Sequence, residues 1–246
     1  MRHFLIRLFY HPILFFFLLP IFYIALGGLF SIQYQSLNIL SLGLFYLFSL
    51  INQMLENILL RIPEDGFKSS KKFLMGLEII NVLLILYFGL RHSWIASLVL
   101  IGFTLIIQLQ FLFSYYNLNQ VSALIINFFK VFLLNGFAFY ISASFMHTRF
   151  IPYFSGLFLP FYLYEASRMK GGLQKKYLVL LTGIGTLIGI GLLWQILGTY
   201  SFILLLSLPF AWLLTEEYNR KTTAIYSIVY SFLCFFHQIL SCENKI

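Results

Sequence analysis

Long apolar runs separated by short polar breaks dominate this chain. They fall at about His11–Leu29, Leu37–Leu60, Phe73–Leu90, Trp94–Phe113, Val121–Phe145, Ile151–Ser167, Tyr177–Leu197, Ser201–Thr215 and Thr223–Leu240. Most reach the ~20 residues that a helix needs to cross a ~30 Å hydrocarbon layer, so the pattern predicts a bundle of about nine transmembrane helices. Ser201–Thr215 is short and is expected to tilt inward or to be partly re-entrant. The first run lacks an obvious small-residue cleavage site and is followed by further spans, so it reads as a membrane helix and not a signal peptide. Pro20 within it predicts a kink.

Composition narrows the class further. Hydrophobic residues make up 61% of the chain and charged residues 10%, with 30 Phe and a mean hydropathy of +0.90. An ordinary soluble domain is about half apolar and ~25% charged, so a soluble fold is excluded. The expectation is one all-α integral membrane domain over residues 1–246. Cys234 and Cys242 fit neither a disulfide framework nor a metal-ligand spacing, so they say little about compartment.

The net charge of +8 is distributed unevenly. Counted on alternate sides of the nine runs, one side holds Arg2, Arg7, Arg61, Lys68, Lys71, Lys72, Arg168, Lys170, Lys175, Lys176, Arg220 and Lys221, and the other holds Arg91, Arg149 and Lys245. Basic excess stays cytoplasmic, which puts the N-terminus inside and the C-terminus outside a multi-pass cell membrane, expected to be a bacterial inner or cytoplasmic membrane. Topology therefore accounts for the charge, and no nucleic-acid partner is called for.

A few polar residues interrupt the runs. The densest group spans Asn52 to Lys72, with Asn52, Gln53, Glu56 and Asn57 inside a run and Arg61, Glu64, Asp65, Lys68, Lys71 and Lys72 beyond it. A second corner, Arg168–Lys176, follows Glu165 and contains Gly171 and Gly172, as Gly66 marks the first. Carboxylates at membrane depth are costly and mark sites by default, although a helix-end carboxylate neutralised by a basic neighbour is the structural alternative. Lys130 lies inside the fifth run, where it either joins such a site or snorkels to headgroups. Asn52, Asn81, Asn127 and Asn135 are expected to make interhelical hydrogen bonds, and Gly183, Gly185, Gly189 and Gly191 to form a close-packing face. His237 reads as an interior or interfacial histidine.

The two corners resemble those of the UbiA superfamily of membrane prenyltransferases, whose nine helices carry aspartate-rich motifs at the cytoplasmic ends of the second and sixth. Against the family's N-D-x-x-D-x-x-x-D, Asn52 matches the Asn, Gln53 and Glu56 fall on the first two aspartates, and Leu60 falls on the third. Against R-E-x-x-K-D-x-x-D, Glu165 and Arg168 match the Glu and Lys, while Met169 and Gly172 replace the aspartates. The tract LFSYYNLNQ is similar to the family's L-Y-S-x-x-L-K turn. The resemblance implies Mg²⁺ held by Glu56, Asp65 and Glu165. It also implies a polyprenyl diphosphate contacted by Asn52, Arg61, Lys68, Lys130, Arg168 and Lys170, and a prenyl group passed to a hydrophobic aromatic or lipid acceptor. Asp65 is the chain's one aspartate, however. Hard divalent cations favour several anionic oxygens, so the departure opens an alternative: a non-catalytic membrane protein, such as a transporter component, an immunity-type protein or a lipid-binding protein, that keeps the bundle.

Overall fold

A backbone at membrane depth has no water to satisfy it, so apolar runs of this length fold as helices, which close their own hydrogen bonds. The computed structural model describes residues 12–65, 71–146, 151–168, 175–209, 214 and 220–243, and every regular element among them is helical. In chain order these are α1 (Pro12–Ser31), α2 (Ile39–Asp65), α3 (Lys71–Arg91), α4 (Trp94–Tyr115), α5 (Asn119–Ala143), α6 (Ile151–Gly156), α7 (Phe158–Arg168), α8 (Lys175–Leu197), a 3₁₀ segment at Gly198–Ser207, and α9 (Arg220–Glu243). Among the described residues, three stretches are long and apolar enough to cross a membrane: Ile39–Leu60, Lys71–Arg91 and Asn119–Ala143.

Local chemistry sets several of the corners. Asn38 and Ser93 cap the starts of α2 and α4, accepting from the amides of Ser41 and Ala96 at 3.2 Å each. Asn117 and Ser144 adopt left-handed conformations, at φ 56° and 62°, just past the ends of α4 and α5. Such a residue turns a helix end back on itself, and the Ser144 amide closes onto the Tyr140 carbonyl.

Pairings between helices fix their relative directions. Asn52 donates to Asn81 at 3.0 Å, and Asn81 donates to Thr104 at 3.1 Å. Together with the Phe45–Phe88 ring contact, this makes α2, α3 and α4 an antiparallel trio. α1 lies parallel to α5, with the Gly27 amide donating to Asn135 Oδ1 at 3.1 Å. A Cβ at Gly27 would run into the Asn135 carbonyl, so glycine is what lets these two helices approach. α7 sits between α5 and α9, held by Asn127 on the Phe158 carbonyl and Ser227 on the Pro160 carbonyl.

The exterior is apolar where that of a soluble protein would be polar. On α3, Asn81 is fully buried while Ile79, Val82, Leu83 and Leu86 are exposed and Leu90 is 90% exposed. An outer surface of this kind is matched by lipid tails, so the apolar exterior agrees with a membrane protein.

The structure departs from the sequence reading in four places. The sixth run is broken at Leu157 into α6 and α7. The short Ser201–Thr215 run begins in the 3₁₀ segment, and part of it lies outside the described residues. α5 contains a π-helical stretch, Phe129–Leu134, that no sequence pattern suggested. Of the four glycines expected to form one packing face, Gly185 abuts Leu159 and Gly189 abuts Tyr230, while Gly183 and Gly191 meet nothing.

Candidate functional site

Glu56 and Glu165 are both fully buried, a condition in which an ionised carboxylate needs close cationic partners. α2 delivers Glu56, α7 delivers Glu165 and Arg168, and the π stretch of α5 delivers Lys130 between them. Lys130 Nζ lies 2.7 Å from Glu56 Oε2 and 2.6 Å from Glu165 Oε1. Arg168 Nη1 lies 2.9 Å from Glu56 Oε2 and 2.6 Å from Glu165 Oε2. Two anions and two cations thus form a quartet that is neutral as a whole. A π turn widens the helix by one residue and recurs at functional sites; here it carries the buried cation.

Neutral donors complete the shell. Gln110 on α4 donates to Glu56 Oε1 at 2.8 Å, and the Tyr23 hydroxyl on α1 donates to Glu165 Oε1 at 3.0 Å. Arg168 also donates through Nη2 to Asn57 Oδ1 at 3.1 Å. Lys130 stands 5.5 Å from the Tyr23 ring centroid and Arg168 5.7 Å from that of Tyr164, distances at which a ring face supports a cation. Five helices therefore meet at one polar centre in an apolar bundle. Lys130 does not reach out to headgroups, and Arg168, whose side chain is 1% exposed, does more than mark topology.

Of the other expected site residues, only Asn52 has a described side chain, and it stands apart from this centre. Asn52, one turn before Glu56, spends its amide on the Phe48 carbonyl and Asn81. The backbone of Arg61 and Asp65 belongs to α2, but their side chains are outside the described residues, as are Lys68 and Lys170. Sequence reasoning missed Tyr23 and Gln110. Gln110 was findable as an amide inside an apolar run, whereas nothing distinguishes Tyr23 among 16 tyrosines. Glu78 on α3, also unremarked, accepts from Gln108 at 2.7 Å.

As placed, Glu56 and Glu165 leave no carboxylate oxygen free for a resident Mg²⁺. Each carboxylate oxygen of Glu56 and Glu165 already accepts from Lys130, Arg168, Gln110 or Tyr23. The two formal negative charges are balanced by cations that belong to the chain. Mg²⁺ demands near-octahedral oxygen coordination and would have to displace one of them. Among the described residues, no three of His, Cys, Asp and Glu gather as a metal-binding group.

A second feature lies at the other end of α2 and α3. An open cavity of about 330 Å³ sits between α4 and α5, lined by Ile95, Ala96, Val99, Phe132, Phe137 and their neighbours, with Ser93 and Tyr140 as its polar groups. The Tyr140 hydroxyl donates to Ser93 Oγ at 3.3 Å. Beside it, burial and then the charge of Arg91 hold the pKa of His92 below the usual histidine value.

Comparison with family models, curated proteins and solved structures gives no match to this chain.

Proposed function

We propose that this chain is a multi-pass integral membrane protein with a UbiA-like plan of nine spans and a cytoplasmic N-terminus, which binds lipid without transferring a prenyl group. One observation carries the reading: every carboxylate oxygen of Glu56 and Glu165 accepts from a donor of the chain itself. In the family it resembles, those corners bind metal and diphosphate. Here the same corners tie five helices together through fixed charges, and the loss of all but one aspartate agrees with that change of use.

A second reading, prenyl transfer from a polyprenyl diphosphate to a hydrophobic acceptor, is favoured by one arrangement. Glu56 and Glu165 arrive from the two helix ends where the resemblance places the motifs, and they share the same two cations. On that reading Lys130 and Arg168 would turn from the glutamates to the diphosphate, joined by Asn52, Arg61, Lys68 and Lys170, and Mg²⁺ at Glu56, Asp65 and Glu165 belongs to this reading alone.

The two are separated by incubating the purified protein with a radiolabelled polyprenyl diphosphate, with and without Mg²⁺. The lipid-binding reading expects no Mg²⁺-dependent binding and no labelled product with aromatic or lipid acceptors. A labelled product that requires Mg²⁺ and is lost in Glu165→Gln would establish the enzyme instead.

A further inference from the structure

We infer that the cavity between α4 and α5 holds an acyl chain of a phospholipid with an anionic headgroup, drawn from the leaflet opposite the charged quartet. Its depth in the membrane follows from helix pairing. Asn52 faces Asn81 and Phe45 faces Phe88, so Ser93 lies level with about residue 40 of α2. That is roughly 16 residues from Glu56, or about 24 Å at 1.5 Å per residue. The cavity therefore sits near the membrane boundary at one end, and the quartet near the other.

The volume, about 330 Å³, is at the lower end for small-molecule sites. Apolar side chains line most of it. The surrounding face of α4 is apolar and open, with Trp94 70%, Ile95 56% and Leu98 54% exposed, so whatever enters comes from the lipid phase. Polarity is confined to one end, at Ser93 and Tyr140, beside exposed Arg91.

Hydrocarbon gains little by exchanging lipid neighbours for apolar side chains, so the apolar lining admits a chain without selecting it. Selection falls to the rim. Exposed Arg91 lies two residues from Ser93 and acts on His92, whose ring lies 6.2 Å from that of Tyr140, so a cation at the polar end of the cavity complements a phosphate and its net negative head. Trp94 beside it is suited to the headgroup boundary.

The wall also bears on the quartet. Phe132 and Leu133, which line the cavity, lie in the π stretch that carries Lys130. A chain seated there supports the irregular turn from behind. This gives the lipid-binding reading a site, and the two claims fail separately, because the transfer assay concerns Glu56 and Glu165 while this one concerns Arg91 and Val99.

The experiment is native mass spectrometry of the full chain released from detergent in the presence of equal phosphatidylglycerol and phosphatidylcholine. The expected result is one retained phosphatidylglycerol per chain, with a several-fold preference over phosphatidylcholine. Val99→Phe, which fills the cavity from a partly exposed position, should remove the retained lipid; Arg91→Gln, at the exposed rim, should abolish the preference while chain and thermal midpoint stay intact. Equal retention of both lipids by the unmodified chain, retention undiminished in Val99→Phe, or displacement of the lipid by a polyprenyl phosphate would each overturn the assignment.

Discussion

Lys130 Nζ lies 2.7 Å from Glu56 Oε2 across 74 residues of sequence, and both side chains are withdrawn from the surface. Charges at this depth are retained only in company. The same ammonium reaches Glu165, and Arg168 closes the group from the other side. The quartet is thus the meeting point of α2, α5 and α7, with α1 and α4 attached through Tyr23 and Gln110.

Tyr23→Phe is expected to weaken that attachment without disturbing shape. The hydroxyl donates to a charged oxygen, and such bonds contribute about 1.5–3 kcal/mol. Because Lys130 still serves the same oxygen, the loss should fall at the lower end and appear as a reduced thermal midpoint in detergent. A midpoint equal to that of the unmodified protein would show that the bond carries no weight.

Gly27→Ala tests the contact that brings α1 against α5. The added Cβ would meet the Asn135 backbone, which cannot rotate away as a side chain can. Overpacking of this kind costs about 1–3 kcal/mol. Gly43→Ala in α2 is the control, since nothing lies within 4 Å of its Cβ position. There alanine should be neutral or stabilising by roughly 0.5–1 kcal/mol through helix propensity. Comparable midpoints for the two variants would contradict the close approach.

Topology is open to direct labelling. The charge bias expects Cys242 on the external side, and Cys234 is buried and so shielded from reagent in the folded protein. A membrane-impermeant maleimide applied to intact cells should therefore modify Cys242, and Cys242→Ser should abolish the signal. Labelling only after permeabilisation would reverse the orientation.

The meeting of Glu56, Lys130 and Glu165 could be read from the sequence for a physical reason. Ionised groups in apolar runs must pair, and the chain places few candidates in its spans. Asn52, Asn81 and Asn135 bridge helices as their positions suggested. Other features depend on tertiary placement. The spacing of Glu165 and Arg168 already suited an ion pair on one helix face, but the reach of Arg168 to Glu56 on another helix left no trace in the pattern. Tyr23 matters only because α1 packs parallel to α5, and no local signal announces that pairing. The π stretch likewise leaves no mark on hydropathy, because Phe129–Leu134 is as apolar, Lys130 aside, as the ordinary turns around it.

Whether Glu56 and Lys130 are a neutralising pair within a closed quartet is tested most directly by a charge-balanced cycle. Lys130→Met alone leaves two buried carboxylates with one cation, and breaking a buried pair from one side costs about 3–5 kcal/mol. Glu56→Gln alone leaves an excess of positive charge. Combining them restores neutrality, so thermal unfolding of the purified protein should show the double variant more stable than the Lys130→Met single, with a coupling of about 0.5–3 kcal/mol. Strict additivity, with the double variant less stable than either single, would contradict the quartet.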